Sequence, residues 1–264
     1  MKINIIVDED NCWNLNTVRR LVVSLNKKNI FIDNIWILPN KLSLLYKNQI
    51  SFWYLKTFGL MIFSKLVLFY MIVIFNNFRL RINNFKALCK KYDLNFKYIS
   101  SLNENDFLKH LNRNEEKIFL LITNHILKEN NFYNKKNIFI NKHSSLLPSY
   151  RGLMPYIWTK IYNDKNGVTF HLVNNKIDSG EILFQKIYDK NFNSMIDFYI
   201  YIFENFPDNF IQAIYNFRKK KYFKNNYNQS YFSLPTKYEF DEFKKKGGKI
   251  ILFSDFFKIN KIIK

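Results

Sequence analysis

Asn141 and His143 stand two residues apart in NIFINKH (137–143), an apolar run that ends in polar side chains. On an extended strand that spacing places both on one face. An amide at the end of a strand can donate a hydrogen bond to a developing oxyanion. A neutral imidazole can accept or relay a proton near pH 7. The missing partner is a carboxylate, and IDSGEI (177–182) offers Asp178 beside Gly180, which would let backbone approach a ligand closely. On residue types alone two readings stay open: a proton-handling centre, or a histidine that closes a strand and an aspartate that caps a turn.

The elements around these residues read as an α/β chain. KINIIV (2–7) is an apolar β-branched run and LNTVRRLVVSLNKK (15–28) carries apolar residues at helical spacing. IDNIWIL (32–38) is a second strand, so strand, helix and strand open a right-handed parallel unit. The pattern resumes with a helix over 83–94, a strand over 95–100, and a helix over 103–113 with Asn103 as N-cap, on whose charged surface His110 would be solvated. Strands at 117–123 and 136–143, a helix from Pro155, a strand at 167–173, a turn leading into another strand over 177–188, and a long helix from Ser194 follow. The expected fold is a Rossmann-like, mostly parallel sheet with flanking helices. It carries an apolar helical insertion at about 50–77 and a short, irregular, basic C-terminal extension. Residues 1–190 form the catalytic domain in this reading, and 191–264 a helix and tail.

FGLMIFSKLVLFYMIVIF (58–75) is long and apolar enough to resemble a membrane span. Lys65 in its middle argues against one, at about 2.5–3.5 kcal/mol for a central charge. A helix packed on the body or on a second subunit, a contact with a membrane surface, and a span are the three readings. Composition separates function classes less sharply. The 264 residues are 48% hydrophobic and 19% aromatic, which excludes a disordered chain, and the formal net charge is +20. From Ala213 onward 13 Lys/Arg face 4 Asp/Glu. An anionic partner fits this balance, and so do solvated lysines in a chain rich in Asn, Lys and Ile throughout. Two cysteines, Cys12 and Cys89, cannot build a metal cluster, and no metal is expected. The N-terminus lacks the apolar core of a cleavable signal, which makes the cytoplasm the expected compartment, with membrane association through 58–75 as the variant. DEDNCW (8–13) follows the first strand without a Gly-rich phosphate loop, and Asn11 and Trp13 are its candidates for substrate contact.

Several motifs in order narrow the choice. Asn141-x-His143, Ser145-Leu-Leu-Pro148, Gly167-Val-Thr-x-His171, Ile177-Asp-x-Gly180 and Gln185 resemble the catalytic core of formyltransferases that use 10-formyltetrahydrofolate. The resemblance is strong over 136–190 and limited before it to strand-helix rhythm. It implies that Asn141 holds the formyl oxygen, that His143 stabilises the oxyanion and helps move the amine proton, and that Asp178 orients His143 or a water. Formyl transfer between nitrogens needs an oxyanion donor and a proton shuttle, so Ser144 and Ser145 need not be nucleophiles. The family places its pterin against the strand end before Asn-x-His, here Asn124, His125, Ile126 and Leu127. His171 is expected to support the site, and Tyr150 and Arg151 to receive an anionic acceptor. Methionyl-tRNA formyltransferases carry a further C-terminal barrel, for which the roughly 75 residues after the core are too few, and their N-terminal loop differs. The expected acceptor is therefore a small primary amine, phosphorylated or nucleotide-linked, such as an amino-sugar nucleotide, with the insertion joining a homodimer or touching a membrane. A shortened methionyl-tRNA formyltransferase, with tRNA as partner, is the alternative. A membrane-associated binding protein on the same fold is the non-enzyme reading.

Overall fold

The computed structural model describes residues 1–40, 49–113, 115–132 and 134–263. Five strands lie parallel: β1 (Lys2–Asp8), β2 (Phe31–Leu38), β3 (Phe96–Tyr98), β4 (Lys117–Ile122) and β5 (Asn137–His143). A two-residue strand, β6 (Arg151–Gly152), precedes β7 (Asn166–Leu172) and β8 (Ile182–Tyr188), which add antiparallel beyond β5. Among the described residues the main sheet has seven strands in the order β3-β2-β1-β4-β5-β7-β8. The order reverses between β1 and β4, and a crevice at strand carboxyl ends beside such a reversal is where open α/β sheets bind ligands.

Near-continuous apolar runs in β1, β2 and β4 fit strands covered on both faces. Ile3, Ile5 and Val7 point into one core with Phe170, Phe206 and Phe210, and Ile6 points into another with Trp36, Phe107 and Phe139. Helices α1 (Trp13–Asn26), α6 (Pro155–Ile161) and α7 (Met195–Arg218) cover the first face and α5 (Asn105–Leu111) the second. Each fully buried Phe contributes about 1.5–3 kcal/mol of transfer free energy. Ser194 caps α7 through the Asp197 N–H at 2.9 Å, as the sequence predicts. The α5 cap differs: Glu104, not Asn103, stands at the N-cap, and the Asn103 N–H turns back to Ser101 Oγ. His110 also departs from expectation. It is buried, with Nε2 3.1 Å from Asn4 Oδ1, and burial with the Lys117 charge pushes its imidazole down to about 4.

Between β2 and β3 the insertion forms α2 (Ile50–Phe58), α3 (Leu60–Arg79) and α4 (Phe85–Tyr92). One side of α3 rests on the body through Phe69 and Val73. The C-terminal segment is not irregular. It pairs β9 (Tyr231–Phe232) with β6, and then folds α8 (Lys237–Lys245), α9 (Phe253–Phe256) and α10 (Asn260–Ile263) back on the main core. Phe240, Phe243, Ile251 and Ile262 are buried there, and the Arg19 guanidinium donates to the Ile263 carbonyl. Its aromatic residues are spaced too unevenly for one period, and their ring partners are distant in sequence: Phe240 meets Phe58 and Phe256 meets Phe69.

Candidate active site

Pairing of β5 with β7 assembles the site. Asn141 lies opposite His171 and His143 opposite Thr169, so the amide and both imidazoles share one sheet face. Asp178 reaches them from the turn between β7 and β8, with a left-handed backbone (φ 49°). Gly180 makes that turn fit, since a Cβ there would lie 1.7 Å from the Leu172 carbonyl oxygen. The Asp178 carboxylate is ringed by Asn141 Nδ2 at 3.5 Å, His143 Nδ1 at 3.6 Å, His171 Nε2 at 3.5 Å and the Gly152 N–H at 3.4 Å. All four distances are long for hydrogen bonds, leaving the shell loose. Hydrogen bonds of this kind tighten when a substrate arrives.

The backbone sets the tautomers. His143 Nε2 lies 2.7 Å from the Tyr150 carbonyl and His171 Nδ1 2.8 Å from the Leu172 carbonyl. A carbonyl only accepts, so each of these nitrogens carries the proton. The remaining nitrogen of each neutral ring, Nδ1 of His143 and Nε2 of His171, then turns a lone pair toward Asp178. Burial raises the Asp178 carboxyl, but once the two imidazoles are protonated the His171 contact, the His143 and His171 charges and the Gly152 N–H outweigh it and hold the group at about 2. Burial pushes the His143 imidazole below its usual value, with Asp178 opposing. The three side chains thus form a basic cluster with a place for one further proton between carboxylate and imidazole.

The loop motifs serve as scaffolding. Thr169 Oγ1 donates to the Ser145 carbonyl at 2.7 Å and accepts from the Leu147 N–H at 3.1 Å. Gln185 and Asn225 both donate to the Leu147 carbonyl, and Ser145 Oγ donates to the Ser149 carbonyl. Arg151 and Gly152 are positioned by pairing with β9. Gly152 (φ 100°) is required there, because a Cβ would meet the Phe232 carbonyl oxygen at 2.0 Å. Tyr150 joins the site only through its carbonyl: its ring stacks on Phe232 and its hydroxyl donates to Asp164 at 2.9 Å, so the phenol does not reach an acceptor. Arg151 Nε donates to the Ser230 carbonyl at 3.4 Å, and the guanidinium has no ion pair among the described residues.

Across the switch point, buried Asp8 lashes down the loop after β4. It accepts from Thr123 Oγ1, and from the Asn124 N–H at 3.0 Å and Nδ2 at 3.4 Å. His125 Nε2 meets the Pro39 carbonyl at 2.9 Å. Asn124 and His125 are thereby occupied in shaping the loop, Leu127 enters the second core, and Ile126 is exposed. The Ile126 and Leu127 N–H groups have no partner among the described residues. Asp8 was not singled out from sequence, although its place at the end of the first strand, beside the order reversal, is such a signal. Trp13 and Asn11 do not join the catalytic cluster. Trp13 stacks between Phe69 and Phe203, and the Asn11 carbonyl accepts from Asn77. Lys142, on the opposite face of β5, donates to Ser144 Oγ at 2.8 Å, and burial pushes its ammonium down to about 8. Among the described residues no group of three or more His, Cys, Asp or Glu is placed to hold a metal.

Comparison with known proteins finds one family model and a group of solved structures. The family model described as formyl transferase matches residues 99–189, the stretch containing Asn141, His143, His171 and Asp178. Among solved structures, WlaRD, a sugar 3N-formyl transferase crystallised with dTDP and 5-N-formyl-THF, is 22% identical with a TM-score of 0.52, covering 88% of this chain and 70% of that one. The N-formyltransferase from Helicobacter canadensis, in complex with folinic acid and dTDP-3-aminofucose, is 18% identical at 0.53, covering 93% and 80%. A sugar N-formyltransferase from a Shewanella species is also 18% identical at 0.53, covering 98% and 87%. At these identities the likeness establishes a shared fold. No curated protein matches the chain.

Proposed function

We propose that this chain, whose residues 99–189 match the formyl transferase family model, transfers a formyl group from 10-formyltetrahydrofolate to the primary amine of a nucleotide-linked amino sugar. The observation that carries the reading is the Asp178 carboxylate held among Asn141, His143, His171 and the Gly152 N–H at a strand end. The folate supplies a formyl carbon bound to a nitrogen that can leave. Transfer makes a bond from the acceptor nitrogen to that carbon and breaks the bond to the folate nitrogen. The acceptor nitrogen loses one proton and the departing nitrogen gains one.

The residues divide that work. Asn141 Nδ2 is only weakly engaged by Asp178 at 3.5 Å, so it can donate to the formyl oxygen as negative charge grows there. The cluster of Asp178, His143 and His171 takes the amine proton into the position its lone pairs and carboxylate leave open, and returns it to the leaving nitrogen. The unpartnered N–H groups of Ile126 and Leu127 and the exposed Ile126 side chain fit the edge and face of a flat, polar-edged ring. Arg151, beside Gly152 and without an ion pair among the described residues, fits an acceptor diphosphate.

The direct test supplies purified protein with 10-formyltetrahydrofolate and a panel of acceptors: dTDP- and UDP-linked amino sugars, free amino sugars and charged initiator tRNA. Release of tetrahydrofolate only with the nucleotide-linked amines is the expected result. Release with tRNA alone would replace the acceptor class, and no release with any amine would sink the reading.

A further inference from the structure

Helix α3 meets the body along one side only. Phe69 and Val73 are buried, Phe69 stacks on Trp13 and meets Phe256 edge to face, and Asn77, also buried, donates from Nδ2 to the Asn11 carbonyl at 2.9 Å. The outward side repeats at helical spacing through Leu60, Val67, Met71, Phe75 and Phe78. Of these, Leu60, Met71, Phe75 and Phe78 are between 61% and 70% exposed. The turn that reaches α3 through Phe256 adds Phe253 and Phe257, which are 70% and 78% exposed. An exposed apolar strip of this kind marks an interaction site.

Charge selects the occupant. Residues 50–81 contain Lys56, Lys65, Arg79 and Arg81 and no acidic residue. At the C-terminal end of the strip Arg79, Arg81 and Asn83 line a surface hollow of about 600 Å³ together with Phe75 and Phe78. Neither arginine has an ion pair among the described residues. An apolar strip that ends in two unpaired arginines matches acyl chains beneath anionic headgroups. A second copy would bring the same four cations against each other on chains of net charge +20. The inner side of the helix, where Asn77 and Phe69 are held in the protein, favours a helix lying on the surface over one that spans the membrane.

We propose that α3 is an interfacial helix that lies along an anionic bilayer, with Met71, Phe75 and the Phe253/Phe257 pair among the acyl chains and Arg79 and Arg81 on headgroup phosphates. This surface is separate from the Asp178 cluster and its test reads binding alone, so its failure is distinct from failure of formyl transfer.

The test is vesicle flotation with the full chain, comparing phosphatidylcholine alone with phosphatidylcholine containing about one-third phosphatidylglycerol. Wild type floats with the anionic vesicles and not with the neutral ones. The doubly substituted Arg79→Gln/Arg81→Gln chain loses about 30-fold in apparent affinity, from the typical worth of two basic residues at a charged surface. Met71→Ser/Phe75→Ser loses binding while keeping its circular dichroism and melting temperature, since both side chains face outward. Failure of wild type to bind, or unchanged binding by both variants, overturns the proposal. So does a shift from dimer to monomer in the Met71→Ser/Phe75→Ser chain with vesicle binding unaltered, which would assign the strip to a second copy.

Discussion

Asn141 is the side chain whose removal the chemistry should register most directly. It is a neutral donor only half-buried, and its one contact, 3.5 Å to Asp178, contributes little to folding. Asn141→Ala is expected to lower kcat about 100- to 1,000-fold, the usual worth of one oxyanion donor, with an unchanged melting temperature. Steady-state kinetics beside a thermal melt separates the two effects. His143 gives the pH dependence. Burial lowers its pKa below the ordinary 6.5, so the neutral, proton-accepting form persists into mildly acid solution. The acid limb of kcat/KM should therefore fall below pH 6.5, and a limb above it would assign the titration to another group. The same depression has a stability consequence. Below pH 6.5 the unfolded chain takes up the proton first, and stability declines toward the native pKa. Asp178 adds to the loss lower down, between 3.8 and about 2, where its stabilising ionised form disappears. Asn141, His143 and Asp178 were legible in the sequence because strand periodicity and motif order specify them. Neither specifies a hydrogen-bond partner, and so the phenol of Tyr150 read as available when Asp164 already holds it.

Strand β6 shows how an element two residues long can govern a site. It holds the Gly152 N–H against Asp178 and the Tyr150 carbonyl against His143, yet its own pairing is with β9, some 80 residues later. Phe232 secures that pairing by stacking on Trp158 at 4.5 Å and on Tyr150 at 5.7 Å. Phe232→Ala should cost about 1–2 kcal/mol of stability, as a half-buried aromatic with stacked partners. Its kcat should fall about 10-fold or more, because the backbone around Asp178 loses its anchor. Denaturant melts set against kcat at saturating substrate test this; an unchanged kcat in a destabilised protein would show that β9 holds the fold and not the site. The helices around the main sheet were readable from a period of 3.6 residues, and its strands from apolar runs or a period of 2. Short elements such as β6, β9 and α9 carry no full period, and only long-range packing makes them form.

At the scale of the molecule the basic C-terminal segment proves to be part of the body. Phe240, Phe243, Ile251 and Ile262 complete the core that α1 and α7 begin, while its lysines stay at the surface. Composition revealed the charge but not that division, since a Lys-rich stretch with scattered aromatics looks the same whether it is solvated or folded. The net charge of +20 then acts on the compact state as self-repulsion. Most of the ion pairs that could offset it are exposed, such as Lys245–Glu242 and Arg218–Glu116, and pairs of that kind are worth little. Added salt weakens both terms over a Debye length of about 10 Å at 0.1 M, and repulsion among an excess of like charges is the larger. The melting temperature should therefore rise as sodium chloride is increased from low to about 0.3 M, and rise more steeply at pH 6 than at pH 9, where fewer lysines are charged. Differential scanning fluorimetry across that grid measures it. A fall with salt at both pH values would mean that the few partly buried pairs, Lys258 with Asp197 foremost, outweigh the repulsion of the whole surface.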